Sequence, residues 1–208
     1  MSTPTSTSVT DTDTNTGTDT NSDKPASRSI AEIIQSRRTI NFFQDQIPPK
    51  ETILKALSLA CWAPNHHLTE PWHFYLLGRE TAEGIARLNA DLVTSKSGAE
   101  AGQAKLKRWL EMPGWLVITC DNTDDELQAR EDYAACCCAV QNLMLYLWSK
   151  DIGVKWTTGA VTRHPDFYDL IWADINVETV VGLLWYGYPA EIPHLDRKPL
   201  DMVMVELP

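Results

Sequence analysis

The sequence lacks most of the motifs that identify a common chemistry. It has no Gly-x-Gly-x-x-Gly turn, no Walker loop and no nucleophile elbow. Those absences remove the Rossmann dinucleotide site, the P-loop enzymes and the serine hydrolases. The His-Glu patterns of the zinc proteases are missing as well. Cysteine is scarce and odd in number: Cys61, Cys120 and the run Cys136, Cys137 and Cys138, with no Cys-x-x-Cys pair. Successive helical residues diverge by about 100°, so three in a row cannot converge on one tetrahedral metal. They are expected to be small buried residues in a reducing compartment, with no metal bound.

Positive charge is also short. There are 18 Lys and Arg against 28 Asp and Glu, a formal net charge of −10. Without a dense basic run such a chain is repelled by a phosphate backbone, so nucleic acid is not an expected partner. A small phosphorylated ligand needs only two or three well-placed cations, which this composition allows. Long apolar runs are absent too. The most apolar stretch, Tyr133 to Trp148, includes Gln141 and Asn142. As a helix it would span about 24 Å, short of a ~30 Å hydrocarbon core, so it is expected to be a buried core helix rather than a membrane span. The first 27 residues have neither a basic start nor an apolar run, so no export signal is expected. The protein is expected to be soluble and cytoplasmic.

Residues 1–27 are mostly Thr, Ser, Asp and Asn. Too little apolar surface is available there to offset the entropy of ordering. They are expected to form a disordered tail, leaving residues 28–208 as one folded domain. Ser29-Ile-Ala-Glu32 is a capping box that opens a first helix ending near Arg37-Arg38. After a loop closed by Pro48 and Pro49, Ile53, Leu54, Leu57, Ala60 and Cys61 line a second helix, which Ala63-Pro64 breaks. Strands are expected at 72–77, 115–120, 154–156 and 178–186. Helices are expected at 80–92, 101–111, roughly 125–150 and 165–172, with a polar connection between the first two of these. The order describes an α+β fold: a modest mixed or antiparallel sheet, flanked by helices, with one apolar helix across it. So apolar a helix in so short a chain points to burial against a second copy, a homodimer.

Four clusters carry possible chemistry. Arg37-Arg38-Thr39 offers two guanidinium forks and a hydroxyl, suited to a phosphate. Equally, cations at a helix C-terminus complement its dipole, by ~0.3–1 kcal/mol. In His66-His67-Leu68-Thr69-Glu70-Pro71-Trp72-His73 the two prolines bracket a loop, so no His pair shares a helix face. A loop His can instead donate a hydrogen bond to a ligand oxygen. Lys155-Trp156-Thr157-Thr158-Gly159-Ala160 lies at a strand end and offers hydroxyls, amides and a close-approach Gly for a polar ring edge, or is simply a strand-to-loop transition. Arg197-Lys198 is a late basic pair, of the kind that is often merely solvated.

Taken together these segments resemble the nitroreductase family of flavoenzymes, in its compact single-domain branch. The carriers are Arg37-Arg38-Thr39, Ala63-Pro64-Asn65-His66 with Pro71-Trp72-His73-Phe74, and Trp156 to Ala160, collinear from about residue 29 to residue 205. The resemblance implies a nitroreductase-like fold in an intertwined homodimer with FMN at the interface. It implies that Arg37, Arg38 and Thr39 hold the phosphate end, completed by Arg197 and Lys198. It implies that His66 reaches the flavin of the partner subunit, and that Trp156, Thr157 and Thr158 approach the flavin. Hydride would pass from NAD(P)H through the flavin to a small electron acceptor such as a nitroaromatic or quinone, by ping-pong turnover. No side chain is required as an obligatory acid or base. The same resemblance leaves open a different flavin chemistry, such as reductive dehalogenation, or a non-catalytic flavin-binding protein. Many members have Ser-Ser-x-Asn-x-Gln before Pro-Trp. Here Leu68 replaces the Asn and Glu70 the Gln, so the surroundings of the ring and the substrate range are expected to differ.

Overall fold

Side-chain alternation in the two most apolar strands sets the architecture. The computed structural model describes residues 28–208; the expected tail, residues 1–27, lies outside them. Strands β1 (Trp72–Leu76), β2 (Gly114–Asp121), β3 (Gly153–Thr157) and β4 (Glu178–Gly187) form one sheet in the order β1-β2-β4-β3. Every neighbouring pair is antiparallel, which resolves the mixed-or-antiparallel expectation. Strands β2 and β4 lie at the centre, and their facing pair Trp115 and Trp185 is buried.

Leu116, Ile118 and Leu184 face one way, and Val117, Leu183 and Trp185 the other, so both faces of the sheet need cover. Helices α2 (Lys50–Ala60) and α5 (Glu126–Trp148) supply it on the first face, through residues such as Ile53, Ala56, Ala139 and Leu143. Helices α3 (Arg79–Ser97), α4 (Ala99–Leu110) and α6 (Pro165–Ile171) supply it on the second, through Ile85, Trp109 and Phe167. The result is an α+β sandwich of helix, sheet and helix. Asp125 starts α5 by accepting from the amides of Leu127 and Gln128. Among the described residues no helix is long and apolar enough to cross a membrane.

Two expectations need correction, and the first helix adds a finding of its own. Helices α3 and α4 are longer than their apolar periodicity suggests and are joined by Gly98 alone, at φ 91°. The polar stretch read as a connection is the exposed face of a tight helical hairpin. At Gly102 the two helices come so close that a Cβ would lie 1.9 Å from Thr94 Oγ1. The cysteines are not uniformly buried: Cys120 and Cys136 are, but Cys61 and Cys138 are exposed. Cys138 lies on the outer stripe of α5, and Cys61 at the C-cap of α2, where the chain turns away. Finally, α1 (Ile30–Ser36) has the expected capping box but buries no residue, and Ile30 is 75% exposed. It is tied down by polar contacts instead: Arg28 donates to Trp148 O, and Trp148 Nε1 donates to Ser36 Oγ. Residues 190–208 are exposed throughout, although they carry Ile192, Leu195, Leu200, Met202, Val203, Met204, Val205 and Leu207.

Gly182 is fixed by the indole of Trp156. A Cβ there would lie 2.0 Å from Trp156 Nε1, which donates to Val181 O. Gly182→Ala is therefore expected to displace the indole and destabilise the chain by about 1–3 kcal/mol. Urea unfolding of variant and parent measures it; equal midpoints and slopes would show that the indole does not occupy that space.

Candidate functional site

After α1 the chain runs beside the edge strand β3. Thr39 pairs with Val154 as an isolated parallel bridge, and Ile40 N donates to Val154 O at 3.2 Å. Arg37, the C-cap of α1, therefore stands near the start of β3. Its guanidinium is half-buried, and Nη1 has no hydrogen-bond partner among the described residues. Burial depresses its pKa first, then the charges of Arg197 and Arg38. Arg37 and Arg197, 160 positions apart, are thus within electrostatic reach of each other. Arg38 donates to the carbonyls of Gln35 and Arg37, so it also caps the helix end. Lys198 is exposed beside Arg197.

Farther along β3 the side chains divide between the two faces. Val154 and Trp156 pack towards α5. Lys155 turns the other way: Nζ lies 5.5 Å from the ring centroid of Trp185 and donates to Asn41 Oδ1 at 2.8 Å. Beyond it, Thr157, Gly159 and Ala160 form one wall of a cavity of about 340 Å³, closed by the α3–α4 hairpin. Four cations line it: Lys96, Lys105, Arg108 and Lys155, with no Asp or Glu among the lining residues. None of the four makes a salt bridge among the described residues. Burial lowers the Lys155 pKa, helped by the charges of Arg108 and Lys105. Two cavity residues, Trp185 and Asn89, carry buried N–H groups without partners among the described residues, Nε1 and Nδ2. Trp185 is only 4% exposed. A Cβ on Gly159 would meet nothing closer than Thr157 Oγ1 at 3.9 Å, so that stretch of backbone is open to a ligand. Surplus positive charge and orphan donors together suit a ligand with several acceptor atoms and negative character.

Not all the expected site residues meet. Thr157 lines the cavity and Thr158 is exposed beside it, its carbonyl accepting from Arg163. The Trp156 side chain points to the opposite face of the sheet, because two-residue alternation sends it there when Lys155 faces the cavity. His66 is also on the α5 side, where Nδ1 pairs with Glu131 Oε2 at 2.8 Å and the ring stacks on His67. Within one chain it does not reach the cavity. Its loop is strained: His67, Leu68 and Glu70 have φ of 59°, 53° and 48°. Such angles cost about 1–2 kcal/mol each in non-Gly residues. Hydrogen bonds hold them: Asn65 Oδ1 accepts from Glu70 N, and Thr69 donates to the buried Asp132. The loop leaves Leu68 80% and Trp62 82% exposed.

The motif reading missed Asn41, Lys105 and Arg108, and it included Lys155 without giving it a role. Lys105 and Arg108 are one helical step apart, i and i+3, a signal indistinguishable from an ordinary solvated face until the hairpin closes over β3.

The family model described as "Nitroreductase family" matches residues 34–188. The Bacillus subtilis (strain 168) protein YfhC, which carries a provisional NAD(P)H nitroreductase name, is 30% identical over 173 residues, 81% of this chain and 89% of its own. The crystal structure of a nitroreductase-like family protein from Bacillus cereus superposes with a TM-score of 0.76 at 31% identity, covering 86% of this chain and 96% of that one. A Bacteroides fragilis nitroreductase with bound FMN superposes with a TM-score of 0.68 at 17% identity, covering 86% and 98%; at that identity the likeness is one of fold.

The Lys155 ammonium is disfavoured in the ligand-free fold, so its folded pKa lies below its unfolded one. That cost is full below the folded pKa and fades as pH rises towards the unfolded value, so this group makes stability increase with pH across that window. Lys155→Met is expected to remove that increase. Denaturation of the ligand-free parent and variant between neutral pH and about pH 10.4, the ordinary Lys value, checks this; parallel curves would contradict it.

Proposed function

This chain belongs to the nitroreductase family, and from that premise we propose that it is a cytoplasmic, homodimeric, FMN-dependent oxidoreductase. The observation that carries the reading is the layout along β3. A cluster of guanidiniums with an orphan donor stands at one end, and an acid-free cavity with two more orphan donors at the other. A ligand with a phosphate at one end and a heteroaromatic ring rich in acceptors at the other fits both. Arg37, Arg38, Thr39, Arg197 and Lys198 would hold the phosphate through charge-assisted hydrogen bonds. Asn41, Lys105, Arg108 and Lys155, with the backbone from Thr157 to Gly159, would hold the ring. Trp156 would serve that strand from behind, by packing.

When bound, FMN supplies two-electron chemistry, through which NAD(P)H reduces a small acceptor such as a nitroaromatic or quinone in alternating half-reactions. The protein's part is placement and electrostatics. Lys105, Arg108 and Lys155 would stabilise negative charge on a bound ring, strongly because the cavity is walled by Trp109 and Trp185. No side chain is assigned proton transfer.

The second copy is supported by apolar groups that one chain leaves uncovered: Ile30 and Ile34 of α1, Leu68 and Trp62, and the segment 190–208. The His66 loop, on the wrong face for its own cavity, would meet the partner's.

Purified protein reconstituted with FMN is expected to be yellow and to bleach anaerobically on addition of NADH or NADPH. Arg37→Ala is expected to weaken FMN binding by about 1.5–3 kcal/mol, the range for a hydrogen bond to a charged group. Retention of FMN as tight as in the parent would remove Arg37 from the site. The shared site has its own test. In a heterodimer of Arg37→Ala and His66→Ala subunits, one site carries both lesions and the other neither. Activity should return where both parent homodimers are inactive, and verified heterodimers without activity would exclude a shared site.

A further inference from the structure

The proposed FMN site leaves positive charge unexplained. The phosphate is matched by the arginine cluster at the start of β3. The ring brings no charge when oxidised and at most one when reduced, yet among the described residues its cavity holds four cations and no carboxylate. At least three positive charges therefore remain with the flavin in place, in a chain whose net charge is −10. Lys105, Arg108 and Lys155 cluster closely enough for Lys105 and Arg108 to shift the pKa of Lys155. Lys96 is different. It sits in the last turn of α3, exposed at the rim beside Ser97, with no ion-pair partner among the described residues. The helix dipole explains a cation in that turn, but not its position on the wall of an acid-free cavity. Uncompensated charge of one sign in a low-dielectric cleft focuses its field and selects ligands of the opposite sign.

We propose that Lys96 is a specificity-determining residue that recognises an anionic group on the co-substrate, so that the protein favours anionic over neutral partners of the flavin. This rests on the flavin site proposed above. Phosphate on a nucleotide donor and carboxylate on an aromatic acceptor share the required chemistry, and binding separates them.

The FMN-loaded protein is titrated calorimetrically with benzoate and benzamide, and in parallel with adenosine 2′-monophosphate and adenosine. In at least one pair the anion is expected to bind about fivefold to tenfold more tightly at low salt, as one charge pair across a few ångströms of wet surface provides. The gap should close near 1 M salt, where the screening length is about 3 Å. Lys96→Ala should bring the ratio within about twofold, and Lys96→Arg should preserve it. Turnover of 4-nitrobenzoate against 4-nitrobenzamide should follow the benzoate pair. Preference in the benzoate pair assigns the anion to the acceptor, and in the adenosine pair to the donor. Equal affinities in both pairs, or a preference that Lys96→Ala leaves intact, overturn the inference while a yellow, NAD(P)H-bleached protein leaves the function standing. Failure to take up FMN overturns the function and the inference together. Lys96 is exposed, so the variant's melting temperature should match the parent's and exclude misfolding as the cause of a lost preference.

Discussion

One strand's alternation governs both the core and the site. Lys155 stands over Trp185 on one face of β3, which commits Val154 and Trp156 to the other. A shift of β3 by one residue would exchange those roles, putting an ammonium into the α5 core and an indole into the cavity. The register is held by pairing with β4 and by Gly182, whose missing side chain leaves room for Trp156. The chemistry of the cavity therefore depends on packing on the far side of the sheet, where no ligand is expected.

Electrostatics follow from the same division. The chain is acidic overall, yet the cavity face between β3 and the α3–α4 hairpin gathers cations without a counter-charge. The His66 loop, by contrast, stands over Glu131 and Asp132 on the other face. The backbone strain of that loop is confined to His67, Leu68 and Glu70. Its anchors on α5 bind it to the same helix that fills the core.

The α+β class, every strand and the capping box at Ser29 were legible in the sequence, because apolar periodicity and cap chemistry are local. Family membership was legible because weak motifs appeared in a consistent order. What escaped was what only tertiary contact decides. The α3–α4 hairpin looked like two short helices and a linker, since its exposed face is polar. The side-chain direction of Trp156 was not legible either, since a motif does not record which way its side chains alternate. Lys105 and Arg108 carry no local signal that separates them from an ordinary solvated helix face. Arg197 was named from resemblance, and nothing local in its sequence shows that it would come within reach of Arg37.

The single-residue connection at Gly98 has a kinetic consequence. Residues 79–110 contact one another across short sequence separations, so the hairpin bearing Lys96, Lys105 and Arg108 closes with little loop entropy. The meeting of Arg37 with Arg197 instead encloses nearly the whole domain. During folding, one wall of the cavity can thus take shape locally, while the arginine cluster at the start of β3 waits for the last segment of the chain to arrive. A partly folded molecule would hold the cations of the cavity in place before Arg197 had come within reach of Arg37.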